Sequence, residues 1–257
     1  MEARDSAEVP LDEAALEQAR AYREGFEWWI EQLEADAELE TAQISGPGSS
    51  TPISPKAFDL IVEFEVSSKA LYESKYRSTV WPGGESGVTI GIGYDVGYTS
   101  REQLRSDWND TISDQMITIL ESAIGIKGAS AKAKAAALKS SVNIPFDAAI
   151  AVHRMKVVPR WVALVEGALP NTRLLSPDSL GALVSLTYNR GASFPKPGDR
   201  YKEMRAIKQH MATKAFTSIP SDLRGMKRLW PSVPGLQARR EREARLFEVG
   251  LSAPATS

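Results

Sequence analysis

Glu65 is a carboxyl group at the edge of an apolar helix face. It follows Ile61 by four residues and stands beside Phe64, in a segment whose apolar spacing predicts a helix beginning after Ser54. Burial disfavours the charged form of a carboxyl group and therefore raises its pKa. A carboxylic acid that stays protonated near neutral pH can act as the general acid in glycoside cleavage. The alternative is a solvated glutamate on the helix rim, as expected for Glu63 on a different face.

A glycine-rich segment, Thr89–Asp95, carries a second set of candidate groups. Its period-two alternation predicts a strand or hairpin in a small sheet. Thr89, Gly91, Gly93 and Asp95 share one face, where the missing side chains would let a ligand such as a sugar approach closely. Six steps of straight strand span roughly 20 Å, so Thr89 and Asp95 can serve one centre only if the chain curls at the glycines, as glycine permits. A plain glycine-rich hairpin is the alternative.

The residue types exclude several other kinds of site. The chain contains no Cys, which excludes disulfides, thiolate metal sites and a cysteine nucleophile. Its two histidines, His153 and His210, have no second ligand at metal spacing, so we expect no metal site and no cofactor. The glycine-rich segment lacks the Lys and Ser/Thr of a phosphate-binding loop.

The elements that must position these groups are mostly helical. Apolar spacing predicts an α+β chain, mostly α, with one small antiparallel sheet inserted early. After the helix that carries Glu65 and the glycine-rich segment, a helix is expected to begin at Thr99, with Glu102 completing a capping box. Further helices are expected at about 111–124, 130–139, 145–168, 177–189, 200–214 and 235–248.

Composition divides the chain into an acidic N-terminal segment, 1–43, a flexible connector, 44–53, a body, 54–250, and a tail, 251–257. The acidic segment holds 13 Asp/Glu against 3 Lys/Arg, and its apolar stripe predicts one long helix over 11–40. The rest of the chain holds 20 Asp/Glu against 28 Lys/Arg. A basic body is attracted to polyanions such as nucleic acid, an anionic membrane or the bacterial wall, although the excess is also compatible with ordinary solubilising charge.

Four segments of the body resemble the phage-type lysozymes and their bacteriocin relative pesticin. In that family a helix ends in the catalytic Glu with an aromatic residue seven positions later, as Glu65 and Tyr72 do here. The next element is a hairpin that reads Thr-Ile-Gly-x-Gly, as the chain does from Thr89. Residues 183–191 are similar to the family's central helix with its Asn-x-Gly ending, and residues 235–247 to its C-terminal Gly-Leu-x-x-Arg-Arg-x-x-Glu helix.

This resemblance implies a lysozyme-like fold, in which the helical body and the small sheet form a cleft. Phage-type lysozymes place an Asp six residues before the Thr, where this chain has Gly83. Pesticin-like members place it six residues after the Thr, at Asp95. The resemblance therefore assigns the catalytic roles to Glu65, Thr89 and Asp95, and Glu85, in a longer insertion before Thr89, is the rival second carboxylate.

The resemblance implies a peptidoglycan muramidase, which hydrolyses the β-1,4 bond between N-acetylmuramic acid and N-acetylglucosamine. Glu65 would protonate the glycosidic oxygen, while Asp95 and Thr89 hold and activate a water on the opposite face of the sugar, the inverting arrangement. The family also implies that an Arg at the start of the last helix pairs with the acid, and Arg239 fits by position. Candidate sugar contacts, for which packing is the alternative role, are Trp81, Gly91, Gly93, Tyr94 and Asn189.

Two other functions fit the same segments: a lytic transglycosylase, which needs no water-activating Asp, and a non-catalytic wall-binding module. The N-terminus lacks the apolar core of a secretory signal, and no apolar run approaches the length of a membrane span. We therefore expect a phage endolysin released by lysis or an antibacterial toxin exported by a non-Sec route, acting in the periplasm or wall of the target bacterium. A toxin requires an immunity protein in its producer, and residues 11–40 are the expected dock for a secretion apparatus or upstream domain. No nucleic-acid partner is expected.

Overall fold

The computed structural model describes residues 45–66 and 68–252, so the long helix predicted over 11–40 lies outside the described residues. The described residues are mostly helical, and β1 (Thr89–Ile90) pairs with β2 (Tyr94–Asp95) in an antiparallel sheet. The predicted α+β, mostly α class is thereby confirmed. The helices are α1 (Pro55–Val66), α2 (Arg101–Trp108), α3 (Asp114–Glu121), α4 (Gly128–Leu138), α5 (Phe146–Val152), α6 (Val158–Ala168), α7 (Pro177–Arg190), α8 (Lys202–Thr213), α9 (Ile219–Gly225) and α10 (Pro234–Ser252).

Short helical turns complete these elements. They are Lys69–Leu71, a π-helical turn at Tyr72–Tyr76, and 3-10 turns at Val96–Tyr98, Thr172–Leu174, Asp199–Tyr201, Phe216–Ser218 and Met226–Leu229. None of the helices in the described part of the chain is long and apolar enough to cross a bilayer.

Local signals explain where several helices begin. The Ser54 hydroxyl accepts the Ala57 N–H at 3.1 Å, and Ser176 caps α7 in the same way ahead of a proline. The helix α2 is capped by Ser100 rather than by the predicted Thr99. The Thr99 hydroxyl instead lies 3.3 Å from the Tyr94 hydroxyl.

The single helix predicted over 145–168 is interrupted. Helices α5 and α6 are separated by a π-helical turn, His153–Val157, directly before Pro159. Proline has no N–H for a regular helical bond, and its ring crowds the preceding turn. The wider π turn accommodates both effects and lets the chain continue in nearly the same direction.

The buried apolar side chains form two clusters. The first, here called the helical lobe, joins α1 to helices α6–α10, and the second, the hairpin lobe, joins β1 and β2 to α2–α5. Helix α1 belongs to both, because Ile61 lies in the first cluster and Val66 in the second. Across the same junction, Arg160 of α6 donates to both carboxylate oxygens of Asp107 in α2, at 2.6 and 2.8 Å. The end of α1 therefore lies where the two lobes meet.

The residues predicted as a flexible connector are anchored in the part that the structure describes, 45–53. The Ser49 N–H donates to the Pro159 carbonyl at 2.9 Å, and the Thr51 hydroxyl donates to Glu166 at 2.6 Å. A backbone N–H of this polar stretch and the hydroxyl of Thr51, which suggested solvation, here donate to α6. This stretch is therefore an extended strap along α6 rather than a free linker.

Candidate active site

Glu65 lies at the end of α1 with its carboxyl group against Arg239 of α10. The Arg239 Nη1 donates to Glu65 Oε1 at 3.0 Å, so the ion pair implied by the family resemblance is present. The Glu65 side chain is 25% exposed, whereas that of Arg239 is 4% exposed. Burial raises the pKa of Glu65, and the charge and hydrogen bond of Arg239 oppose that rise without overcoming it. Glu65 is therefore a carboxyl group whose pKa is raised by burial and whose side chain is still open to solvent on one side.

Arg239 is held from three sides. Its Nη2 donates to the Ser185 carbonyl of α7 at 3.0 Å, and its Nε donates to Glu243 one turn further along α10 at 3.2 Å. The Phe64 ring lies 5.2 Å from its guanidinium carbon. A guanidinium with this many fixed partners has little rotational freedom, so it holds the Glu65 carboxyl in one position.

Behind Arg239 lies a second buried charge. Arg240 is fully buried, donates to Glu243 at 2.9 Å and to the Asn189 Oδ1 at 3.2 Å. Burial lowers the pKa of Arg240 to about 9, although the Glu243 carboxylate acts in the opposite direction. The Asn189 oxygen is thus engaged with the charge network rather than presented to a sugar, which gives this predicted contact a structural role.

Tyr188, next to Asn189, is a site residue that the sequence reasoning missed. Its ring stacks on Trp161 with centroids 4.6 Å apart, and its hydroxyl lies 3.3 Å from the position that a Cβ on Gly93 would occupy. Burial, and secondarily the nearby Glu65 charge, raise the pKa of Tyr188 well above its usual range. The Tyr188 side chain therefore links the acid of the helical lobe to the tip of the hairpin.

The hairpin brings Thr89 and Asp95 together. They are direct antiparallel partners, because the chain reverses at Gly91 and Gly93, whose φ angles are +59° and +67°. Residues that carry a side chain rarely adopt such φ angles, so glycine is required for this turn. The chain therefore curls at the glycines, which is the condition under which Thr89 and Asp95 can serve one centre. Thr89 itself is 7% exposed, and its hydroxyl lies 3.4 Å from the Gly87 carbonyl oxygen.

Asp95 is held by backbone amides rather than by a cation. The N–H groups of Gly97 and Gly87 each donate to one of its oxygens at 2.8 Å, the first of these capping a 3-10 turn. Burial raises the pKa of Asp95 to about 6, although the backbone N–H groups of Gly87, Gly97 and Tyr98 and the charge of Lys127 act to lower it. A carboxylate has about four lone-pair positions, so these bonds do not occupy all of them. Asp95 is thus chemically suited to a base near neutral pH and also stabilises the hairpin.

Two predicted sugar contacts point into the hairpin lobe instead. Tyr94 is 3% exposed, donates to the buried Asp107 at 2.9 Å and packs edge-on against Trp108. At Gly91, a Cβ would lie 3.0 Å from the Trp108 ring. The structure therefore gives both residues packing roles. Tyr94 lies on the apolar face that the alternation assigns to it, whereas Gly91 leaves the predicted ligand face because the chain turns there. Gly93 is exposed and faces Tyr188.

The insertion before β1 places Trp81 and Glu85 on the outside of the hairpin lobe. The Trp81 indole N–H donates to the Ser86 carbonyl at 3.1 Å, and the Lys132 ammonium lies 5.6 Å from its ring centroid. Glu85 is exposed, and its carboxylate lies 3.6 Å from the position of a Cβ on Gly128, the first residue of α4. Glu85 therefore faces a helix N-terminus, a favourable place for a solvated carboxylate.

His153 and His210 lie on different helical elements and have different partners. His153 is buried between the rings of Phe58 and Tyr188, and burial lowers its pKa to about 3. The Nδ1 of His210 lies 2.7 Å from Asp222. Over residues 45–66 and 68–252, no group of three or more His, Cys, Asp or Glu side chains is arranged to hold a metal ion.

Comparison with known proteins gives one partial match. A family described as a domain of unknown function (DUF8812) matches residues 62–144, about a third of the chain. The match covers most of the hairpin lobe and includes Glu65, Thr89 and Asp95. The comparison with curated proteins finds no match.

Proposed function

We propose that this protein is a peptidoglycan muramidase with a lysozyme-like fold, hydrolysing the β-1,4 bond between N-acetylmuramic acid and N-acetylglucosamine. The observation that carries the proposal is the Glu65 carboxyl group. It stands at the junction of two lobes, is accessible from one side, and has a pKa raised by burial although Arg239 is bonded to it. Glycoside cleavage needs such a proton donor beside an open cleft.

The reaction assigns one proton transfer to each carboxyl group. Glu65 gives its proton to the glycosidic oxygen as the bond from that oxygen to the anomeric carbon breaks. Asp95 takes a proton from a water whose oxygen forms the new bond to the anomeric carbon from the opposite face. This is inverting hydrolysis, and exchange of both protons with solvent then restores the starting state.

The electrostatic surroundings of Glu65 and Asp95 suit their roles as proton donor and proton acceptor. With a pKa of about 6, Asp95 is mostly ionised at neutral pH and can accept a proton. Thr89 lies directly opposite Asp95 in the hairpin, and its role in the proposal is to help Asp95 hold the attacking water. Tyr188 stands between Glu65 and Gly93 and is the candidate contact for the sugar that spans the cleft.

The direct test is mass spectrometry of muropeptides released from purified peptidoglycan. The wild-type protein should release fragments with reducing N-acetylmuramic acid ends, and Glu65→Gln should lower the rate by about 100-fold or more because the leaving oxygen loses its proton donor. The matched control is Glu63→Gln on the same helix, since Glu63 is bonded to Arg242 at 2.6 and 2.7 Å and lies outside the proposed site. Its rate should stay within about twofold of the wild type.

Other products would point to the two alternatives. Anhydro ends would identify a lytic transglycosylase, and unchanged peptidoglycan would identify a wall-binding module without catalysis. A Glu65→Gln protein that retains more than a few per cent of the wild-type rate would remove Glu65 from the mechanism. Hydrolysis would support the proposed antibacterial toxin or endolysin acting in the wall of a target bacterium.

A further inference from the structure

The hairpin lobe carries a basic surface beside the proposed site. Residues 122–146 contain four lysines and no Asp or Glu. Lys127, Lys132 and Lys139 of this stretch are exposed, as are Lys75 and Arg77 of the preceding segment. These five residues are here called the basic track. Within the described residues, none of the five forms an ion pair with a carboxylate.

The cations of the helical lobe behave differently. Arg224, Arg228 and Arg242 each bind a carboxylate, and Lys227 binds Glu241. These pairs join neighbouring helices, so the four cations are committed to the fold of the helical lobe. The unpaired cations of the basic track therefore mark a surface available for an acidic partner.

Hydrogen bonds align the basic track along α4. The segment 77–81 runs beside this helix, because the Ser78 hydroxyl donates to the Lys139 carbonyl at 2.6 Å and the Thr79 hydroxyl donates to the Ala135 carbonyl at 2.8 Å. Further along, Lys132 lies over the Trp81 ring. The track is thus a row parallel to the helix axis rather than a scatter of charges.

One end of the row reaches the proposed site. Lys127 stacks over the Tyr98 ring, with its ammonium 3.5 Å from the ring centroid, and its charge acts on Asp95. At the other end, Lys75, Arg77 and Lys139 line a surface groove that also includes Glu73. A ligand held at Asp95 can therefore continue along α4 towards this groove.

We propose that the basic track binds the acidic peptide stem that peptidoglycan carries on N-acetylmuramic acid, an inference that rests on the muramidase proposal above. The stem is attached to the sugar next to the bond to be cleaved, and the basic track begins next to Asp95. The twelve residue steps from Lys127 to Lys139, along α4, rise about 18 Å. An extended peptide of about five residues spans roughly 17 Å, so its carboxylates can meet successive cations of the row.

The test measures binding with the full chain carrying Glu65→Gln, so that strands are not consumed. Soluble glycan strands with peptide stems are compared with strands from which an amidase has removed the stems. Exposed ion pairs are each worth roughly 1.5- to 5-fold in affinity. We expect stemmed strands to bind about tenfold more tightly than bare strands, and Lys132→Gln with Lys139→Gln to reduce this preference to about twofold.

The matched control is Lys56→Gln with Lys202→Gln, which removes two exposed lysines of the helical lobe and should retain the preference. Equal binding of stemmed and bare strands would overturn the proposal, as would a preference that survives the Lys132 and Lys139 changes. Duplex DNA that competes as well as stemmed strands would overturn it too, because the surface would then be a general polyanion site. Since the measurement is binding, absence of hydrolysis in the muropeptide experiment would overturn the enzymatic proposal separately.

Discussion

The two lobes hold their key carboxyl groups by different means. In the helical lobe, Glu65 belongs to a chain of charged side chains in which Arg239, Glu243 and Arg240 are all buried. In the hairpin lobe, Asp95 is held by two backbone N–H groups. A charge network fixes its members through the core, whereas backbone bonds depend on the local turn. In the proposed mechanism, the first arrangement keeps the proton donor in place, and the second leaves the position of the base to the hairpin turn.

The difference extends to the free charges of each lobe. Uncompensated buried charge costs several kcal/mol, so the helical lobe must keep its network complete. Exposed lysines of the hairpin lobe have no such requirement, because water stabilises them until a ligand arrives. The buried charges of the helical lobe thus fix side-chain positions, whereas we propose that the basic track of the hairpin lobe serves recognition.

The largest expected effect on this comparison comes from Asp95→Asn. We expect its hydrolysis rate to fall by about 100-fold or more, since an amide cannot accept the proton of the attacking water. The acidic limb of the wild-type pH–rate profile should report the ionisation of Asp95, whose pKa is about 6, and the variant should lack that limb, while deprotonation of Glu65 lowers the rate at higher pH. Turbidity clearance of a wall suspension across pH 4–8 measures both effects.

Glu85→Gln is the control for Asp95→Asn, and it should stay within about twofold of the wild type because the exposed Glu85 carboxylate faces α4. A larger loss for Glu85→Gln than for Asp95→Asn would transfer the role of base to Glu85. Asparagine offers one acceptor oxygen to two N–H groups, so stability also falls in Asp95→Asn. The hydrolysis rates of Asp95→Asn and Glu85→Gln should therefore be measured well below the unfolding temperature of Asp95→Asn.

A second test changes the buried network. Glu243→Gln removes the negative charge between Arg239 and Arg240 and should lower the free energy of unfolding by about 3 kcal/mol. Chemical denaturation followed by circular dichroism measures the change. Asp114→Asn is the matched control, since it breaks an exposed pair with Arg105 and should leave the midpoint unchanged. A change below about 1 kcal/mol in Glu243→Gln would show that this charge network does not hold the helical lobe together.

Sequence alone predicted the parts of the fold that local signals encode. The Ser-Pro starts of α1 and α7 and the glycine-rich hairpin follow from backbone chemistry within a few residues. The pairing of Arg239 with Glu65 spans 174 positions and came only from the family resemblance. Long-range contacts of this kind leave no local pattern from which spacing rules can recover them.

The remaining differences also have physical causes. Alternation of faces holds along an extended strand, but the chain turns between Gly91 and Gly93, and so Gly91 packs against the Trp108 ring. Tyr94 is buried on the face opposite to the predicted ligand face, as the alternation requires. Tyr188 was not predicted as a site residue, because a tyrosine within an apolar helix is typical of a core position. The basic track had a visible signal, the acid-free stretch 122–146. Its alignment with the segment 77–81 required the fold.

The smallest expected effect belongs to Tyr188→Phe, which tests whether the two lobes act together on the substrate. The Tyr188 hydroxyl faces Gly93 and makes no hydrogen bond within residues 45–66 and 68–252. Its removal should therefore leave the melting temperature nearly unchanged. If this hydroxyl donates to the bound sugar, its loss should lower kcat/KM by about fivefold, the value of one neutral hydrogen bond.

Tyr72→Phe is the opposite case, since the Tyr72 hydroxyl donates to the Ile144 carbonyl inside the hairpin lobe at 3.1 Å. That variant should lose about 1 kcal/mol of stability and little activity. Equal activity of Tyr188→Phe and wild type on soluble glycan strands would show that Tyr188 only packs, and that the hairpin and the acid meet the substrate independently.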